Sequence, residues 1–231
     1  MSTTPQRSGR AEQGHTGHAH PEGGHRREPV APPPGVTDAR LARQIAFLLE
    51  IDGLKAVLRQ SHLLDMSRQE NDAEHSWHLA MLAVVLGEYA APGVDQSRVL
   101  RMLLIHDLVE VYAGDTYLYD VGAATDQEER ERAAADRLFP QLPGDQAVTL
   151  RGLWDEFEAR RTPEARFARA LDRVQPLLLN FYTRGASWRA HGVTKSRVLA
   201  HQQVISDGSP ALWEYIRIMI DEAVLRGYLL P

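Results

Sequence analysis

The sequence predicts an all-α fold, a bundle of about eight to ten helices behind a disordered N-terminal tail. Three observations carry this. Apolar residues recur at helical spacing through most of the chain after residue 37. No stretch keeps the two-residue alternation of a half-buried strand. There is also no Gly-rich phosphate loop, no Gly-x-Ser-x-Gly elbow and no internal repeat.

The 231 residues suffice for one large domain. A hydrophobic share of 43% with 25% charged residues is that of a soluble globular protein. The net charge of −5 argues against nucleic acid as a partner, since a backbone-binding surface needs a basic surplus. Without cysteine, no disulfide supports the fold, and any metal site must use nitrogen and oxygen ligands. No apolar run reaches the roughly 20 residues of a membrane span, and the N-terminus lacks the apolar core of a secretory signal. The expected setting is the cytoplasm, away from membranes.

Residues 1–36 are rich in Gly, Pro, Ser, Thr and His. Such a segment cannot bury enough surface to offset its ordering entropy. It holds His15, His18, His20 and His25, read as a solvated tail, with metal scavenging or delivery as the alternative. The domain proper is expected over 37–231. Thr37-Asp38 offers an N-cap. Leu41, Ile45, Leu48 and Leu49, then Leu54, Val57 and Leu58, follow at helical spacing, with Gly53 as a break. A polar connector runs from Ser61 to Asp72. The next helix, from Ala73, is apolar all round between Leu79 and Leu86, so it is expected to run through the core, and Trp77 with it.

Ala91-Pro92-Gly93 ends that helix and Asp95 caps the next, whose apolar run leads into His106-Asp107. Thr125 to Glu128 resembles a capping box before a solvated acidic and basic helix face. Leu150, Leu153, Trp154 and Phe157 mark an amphipathic helix, with Trp154 in the core. From Glu164 a long stripe, Phe167, Leu171, Val174, Leu177 and Phe181, encloses Asp172, and Pro176 removes one backbone hydrogen bond within it. Two last helices fall near 193–206 and 210–226, with Leu212, Ile216 and Ile220 on one face.

The chemistry lies in three places along this bundle. His75 stands in the first turn of its helix, with His78 one turn later as the alternative ligand. His106 and Asp107 close another helix, and Asp172 sits alone in an apolar one. A buried carboxylate without a partner costs several kcal/mol, and a cation removes that cost. Two imidazoles and two carboxylates suit a borderline divalent ion such as Mn²⁺, Co²⁺, Ni²⁺, Fe²⁺ or Zn²⁺. Two octahedral positions remain for water or a phosphate oxygen.

Glu74-His75-Ser76, His106-Asp107-x-x-Glu110, Gly114-Asp115 and Ala170-Leu171-Asp172, in this order, resemble the HD-domain metal-dependent phosphohydrolases. The resemblance covers about residues 38–190. Within that family it is closest to the branch of the bacterial 5′-deoxynucleotidases and the eukaryotic HD-domain-containing protein 2. It implies one divalent metal ion (Mn, Co, Ni, Fe, Zn or Mg) on His75, His106, Asp107 and Asp172. It implies Glu110 as the proton-transfer acid, and Asp115 as the acid that orients water or contacts the sugar. It further implies a homodimer acting on a small phosphorylated substrate. That branch carries an Arg with a nearby Trp for phosphate and sugar. Here Arg59 stands at a shifted position with no Trp after it, and Arg68 is a second phosphate-binding candidate.

The expected activity is removal of phosphate from a small monoester, above all a (deoxy)nucleoside 5′-monophosphate. One alternative is an HD hydrolase of a cyclic phosphodiester or a triphosphate. A triphosphate needs more cations around the site than the sequence reveals. The other alternative is a non-catalytic helical module stapled by the metal.

Overall fold

Asp38 opens α1 (Ala39–Ile51), its carboxylate accepting from the Leu41 N–H at 2.9 Å. The structure, a computed structural model, describes residues 32–120, 122 and 125–231. The tail histidines, and the expected tail as far as residue 31, lie outside them. After α1 a 3-10 turn over Asp52–Ala56 carries Gly53, where the break was expected.

The connector is not a loop throughout. β1 (Leu58–His62) pairs antiparallel with β2 (Gln69–Asn71), with Leu58 opposite Asn71 and His62 opposite Gln69. This corrects the expectation of a strandless chain. Strands of five and three residues are too short to display an alternation, and Arg59-Gln60-Ser61 offers no apolar face to reveal one.

α2 (Asp72–Leu86) starts from a reciprocal capping box between Asn71 and Glu74. Its buried stripe is Asp72, His75, Ser76, Leu79 and Ala83. Trp77, Val84 and Val85 are 64%, 64% and 63% exposed, so neither Trp77 nor the all-round apolar run is core. A segment apolar on every side does not say which side the bundle covers. α3 (Gln96–Ile105) is capped by Asp95 through the N–H groups of Ser97 and Arg98. α4 (Glu110–Ala113) follows after a turn.

α5 (Gln127–Leu138) begins one residue later than a capping box on Thr125 requires. The Asp126 carboxylate instead takes the Arg130 guanidinium at 2.9 Å. α6 (Gly144–Ala159) buries Leu153, Trp154 and Phe157 as expected.

α7 (Pro163–Tyr182) is the axis of the bundle. Thr162 caps it, Pro163 supplies its first residue with a preset φ, and the helix continues through Pro176. α8 (Ala186–Ala190), α9 (Lys195–Gln202), α10 (Ile205–Gly208) and α11 (Pro210–Leu225) complete the chain. Three segments, α4, α8 and α10, are only four or five residues long. The eight longer helices among the described residues agree with the eight to ten expected.

α7 packs against α2, α3, α6, α10 and α11. Phe167, Leu171 and Leu177 meet Leu79, Met102, Leu103, Ile216 and Ile220 in one core cluster. Each such side chain contributes about 1.5–3 kcal/mol by leaving water. The approach of α10 to α7 depends on Gly208, where a Cβ would stand 2.2 Å from the Arg166 carbonyl oxygen. Among the described residues, no helix is long and apolar enough to cross a membrane.

Candidate metal centre and its cavity

Three helices deliver the expected ligands to one point. His75 comes from the first turns of α2, His106 and Asp107 from the end of α3, and Asp172 from the middle of α7. All four are buried. The Asp172 Oδ1 lies 3.2 Å from the His75 Nε2 and 3.6 Å from the His106 Nε2. The Asp107 carboxylate lies 3.0 Å from the His106 Nε2 through Oδ1, and 3.8 Å from the His75 Nε2 through Oδ2. Donors about 2.1 Å from one ion at right angles stand about 3 Å apart, so the set has the dimensions of a coordination shell.

Each imidazole is oriented by its other nitrogen. The His106 Nδ1 faces the Leu103 carbonyl at 2.9 Å, and the His75 Nδ1 faces the Gln175 Oε1 at 3.0 Å. With both Nδ1 atoms donating, each Nε2 points at the centre, where it would offer its lone pair to a metal ion. The His106 Nε2 is a buried atom with no hydrogen-bond partner among the described residues, as a metal-ligating nitrogen would be. Burial and the Arg59 cation lower the His75 pKa to about 4, so it is neutral, the form that ligates. Burial opposes charging of His106, but Asp107 and Asp172 outweigh it and raise its pKa to about 10. The field that holds a proton there would hold a divalent cation. Against their own burial, Asp107 is held down chiefly by His106, and Asp172 by both histidines.

Gln175 ties this shell to a second layer. Its Nε2 donates to the Glu70 Oε1 at 2.6 Å while its Oε1 accepts from His75. His78, the alternative ligand, faces the Gln175 amide at 3.2 Å through its Nδ1 rather than the ligand cluster. Gln175→Leu is expected to weaken divalent metal affinity about 10- to 100-fold with the fold intact. Metal titration beside circular dichroism measures both, and unchanged affinity would remove the orienting role.

A second acidic group adjoins the first. Asp72, Glu110 and Asp115 bring carboxylate oxygens within 4.8 Å of one another. Arg59, on β1, crosses between the two groups. Its Nη1 donates to Asp72 and Asp107, both at 2.9 Å, and lies 3.8 Å from Asp115. Burial, then the Asp107 charge, raises the Asp72 pKa to about 7. The same two causes raise the Glu110 pKa well above the usual carboxylate range, with Asp72 beside it. Burial raises Asp115 despite the opposing Arg59 cation. Arg68 is not brought to this place. Its half-exposed guanidinium pairs with Glu74 at the outer end of the hairpin.

A cavity of about 950 Å³ opens over these groups, lined by Arg59, His106, Asp107, Glu110, Asp115 and Asp172. Tyr117, Tyr119 and Trp188 give it an aromatic wall, and Arg160, Arg161, Arg169 and Arg173 a cationic one. This corrects the view that few cations surround the site. The four arginines stand at the end of α6 and along α7, and the sequence singled out none of them. Sequence reasoning also missed Asp72 and Gln175. Asp72 looks like an ordinary acid in a first helical turn. Gln175 carried a readable signal, a polar residue one turn beyond Asp172 on the same apolar stripe.

A family model described as HD domain matches residues 51–213, well over half of the chain. The chain is 57% identical to a protein of known crystal structure from Magnetospirillum magnetotacticum MS-1, described as a predicted metal-dependent phosphohydrolase. That match covers 83% of this chain and 99% of the other, with a TM-score of 0.79. The chain is also similar to human 5′-deoxynucleotidase HDDC2, 28% identical over 135 residues, which are 58% of this chain and 65% of the human protein. The chain thus spans just under two thirds of that relative's length. The fission-yeast 5′-deoxynucleotidase hdd1 is 24% identical over 142 residues, 59% of this chain and 70% of that protein.

Proposed function

This chain belongs to the HD-domain family and is a metal-dependent phosphohydrolase, and from that premise we propose that it removes the phosphate of a (deoxy)nucleoside 5′-monophosphate. One observation carries the reading: donor atoms of His75, His106 and Asp172 lie within 4.8 Å of one another, with the Asp107 carboxylate beside both imidazoles, and His106, Asp107 and Asp172 line a cavity of about 950 Å³ that has an aromatic wall. The relatives named 5′-deoxynucleotidase support the same substrate class.

His75, His106, Asp107 and Asp172 would hold one borderline divalent ion. When bound, that ion supplies Lewis acidity toward water and neutralises phosphoryl charge. The chain's own groups do the rest. Glu110 keeps a buried, unpartnered Oε2, and burial with the Asp107 and Asp72 charges raises its pKa, which favours the protonated form. It gives that proton to the leaving 5′-oxygen as the P–O bond breaks, and recovers one from the water that attacks phosphorus. Asp115, at the cavity wall, positions water or the sugar. Arg59 balances the charge of the acids it bridges, a different task from the phosphate contact expected of it. The aromatic wall offers flat faces to a sugar and base.

The exposed stripe Trp77, Met81, Val84 and Val85 along α2 supports a homodimer, since contiguous apolar surface favours a partner. Light scattering in solution measures this, and a monomer at micromolar concentration would refute it.

The arginine wall favours a second reading, hydrolysis of a substrate with more than one phosphate. One panel separates the two. Metal-stripped protein is reloaded with Mn²⁺, Co²⁺, Mg²⁺ or Zn²⁺ and given nucleoside mono- and triphosphates and cyclic monophosphates, with phosphate release followed. Metal-dependent release from the 5′-monophosphates supports the first reading. Release confined to triphosphates or cyclic esters would replace it.

A further inference from the structure

Two of the wall arginines have no carboxylate of their own. Arg169 and Arg173 are one helical turn apart on α7 and flank Asp172. The Arg169 Nη1 lies 3.3 Å from the Asp172 Oδ2, and the Arg173 Nε lies 3.8 Å from the same oxygen. The other oxygen of that carboxylate faces His75 and His106, so one negative charge serves two guanidinium groups and the metal centre together. Both side chains are largely buried, 12% and 18% exposed. The Nε of each is a buried donor without a hydrogen-bond partner among the described residues. Like charges one turn apart on a helix repel, and a buried cation short of partners is costly. Arg160 adds to the strain. It closes α6 in a left-handed conformation (φ 55°) and repels Arg169 and Arg173, with Glu158 at 3.8 Å as its own partner.

Charge accounting says what relieves this arrangement. A divalent ion balances Asp107 and Asp172. Arg59 is outnumbered by the acids around it. Arg169 and Arg173 share a single oxygen of Asp172, and a phosphate monoester brings about 1.5–2 further negative charges at neutral pH. Guanidinium forks match phosphate oxygens in geometry as well as charge.

We propose that Arg169 and Arg173 clamp the scissile phosphoryl group, taking its nonbridging oxygens on the Oδ2 side of Asp172. This rests on the phosphate-monoester reading above and assigns to α7 the role the sequence suggested for Arg59 and Arg68. The clamp explains why the cavity spends two buried cations beside a metal ligand: they face the charge the metal does not neutralise.

The test uses full-length, Mn²⁺-loaded protein and inorganic phosphate as probe, with Arg169→Gln, Arg173→Gln and the corresponding Lys variants. Phosphate affinity comes from calorimetry, metal affinity from titration, and folding from thermal melts. Each Gln variant is expected to weaken phosphate binding about 10- to 100-fold, the scale of one charge-assisted contact. Its kcat/KM for a nucleoside monophosphate should fall at least as far, at unchanged metal stoichiometry. The Lys variants should recover part of the loss, because charge returns without the fork. Phosphate affinity unchanged in both Gln variants, with metal affinity or melting temperature lowered, would overturn the clamp and leave the arginines as structural partners of Asp172. The premise fails separately. Arginine-dependent phosphate binding in a protein that hydrolyses no monophosphate keeps the clamp and removes the substrate. Turnover of monophosphates with unaltered KM and phosphate affinity in the Gln variants keeps the substrate and removes the clamp.

Discussion

Asp107→Ala is expected to lose divalent metal binding at micromolar metal and, with it, more than about 99.9% of turnover. The carboxylate faces both imidazoles, at 3.0 Å and 3.8 Å, and is one of two anionic donors in the cluster. Its loss removes a ligand and half the negative charge that makes a divalent ion welcome in a buried place. The folded state should not suffer in proportion. Asp107 raises the pKa of Asp72, Glu110 and Asp115, so its charge is a cost to the acids around it in the metal-free chain. Arg59 keeps Asp72 at 2.9 Å after the substitution. The substitution also removes the carboxylate that pairs with Arg59 and raises the His106 pKa, so the two effects offset in part, and the reading is the shift each protein shows on adding metal. The stabilisation that metal gives the wild type, about 2.7 kcal/mol at a hundredfold excess over Kd, should vanish. Melting curves with and without Mn²⁺ on both proteins decide the matter. A variant that still gains stability from metal would place the ion elsewhere.

The candidate metal ligands His106, Asp107 and Asp172 stood out in the sequence because each broke a local rule. His106-Asp107 ends an apolar run, and Asp172 interrupts a stripe otherwise made of Phe167, Leu171 and Val174. Polar groups in such places need a reason, and the order of the four along the chain supplied one. The caps at Asp38 and Asp95 were legible on the same terms, since short acceptor side chains before an apolar period satisfy the first free N–H groups. The helical class followed from periodicity.

What sequence could not give was direction. Arg59 and Arg68 read alike as arginines of one connector. The hairpin turns one inward against three acids and leaves the other outside on Glu74. Arg169 and Arg173 carried no signal in the sequence, because only the packing of α6 against α7 encloses a cavity around them. Trp77 failed for a related reason: burial depends on what covers a face, and hydrophobicity alone does not state that.

Glu110→Gln should separate chemistry from binding. Gln keeps the volume and the amide can still meet Asp72, but it has no acidic proton to give. Glu110 begins α4, four residues past His106, and lies buried at the cavity with one oxygen unpartnered. Burial first, then the charges of Asp107 and Asp72, raise its pKa, which favours the protonated carboxyl that a leaving oxygen needs. A positioned general acid is worth about 10²–10⁴ in rate. The expected result is a fall in kcat of that size, with KM changed little and wild-type metal content. The loss should shrink for substrates whose leaving alcohol is more acidic, such as an aryl phosphate, because a good leaving group needs no proton. That comparison is the sharper measurement, since misplacement of the substrate would slow both classes alike. A drop in metal content instead would make Glu110 a ligand, in company with Asp72 and Asp115, whose oxygens already lie within 4.8 Å of its own.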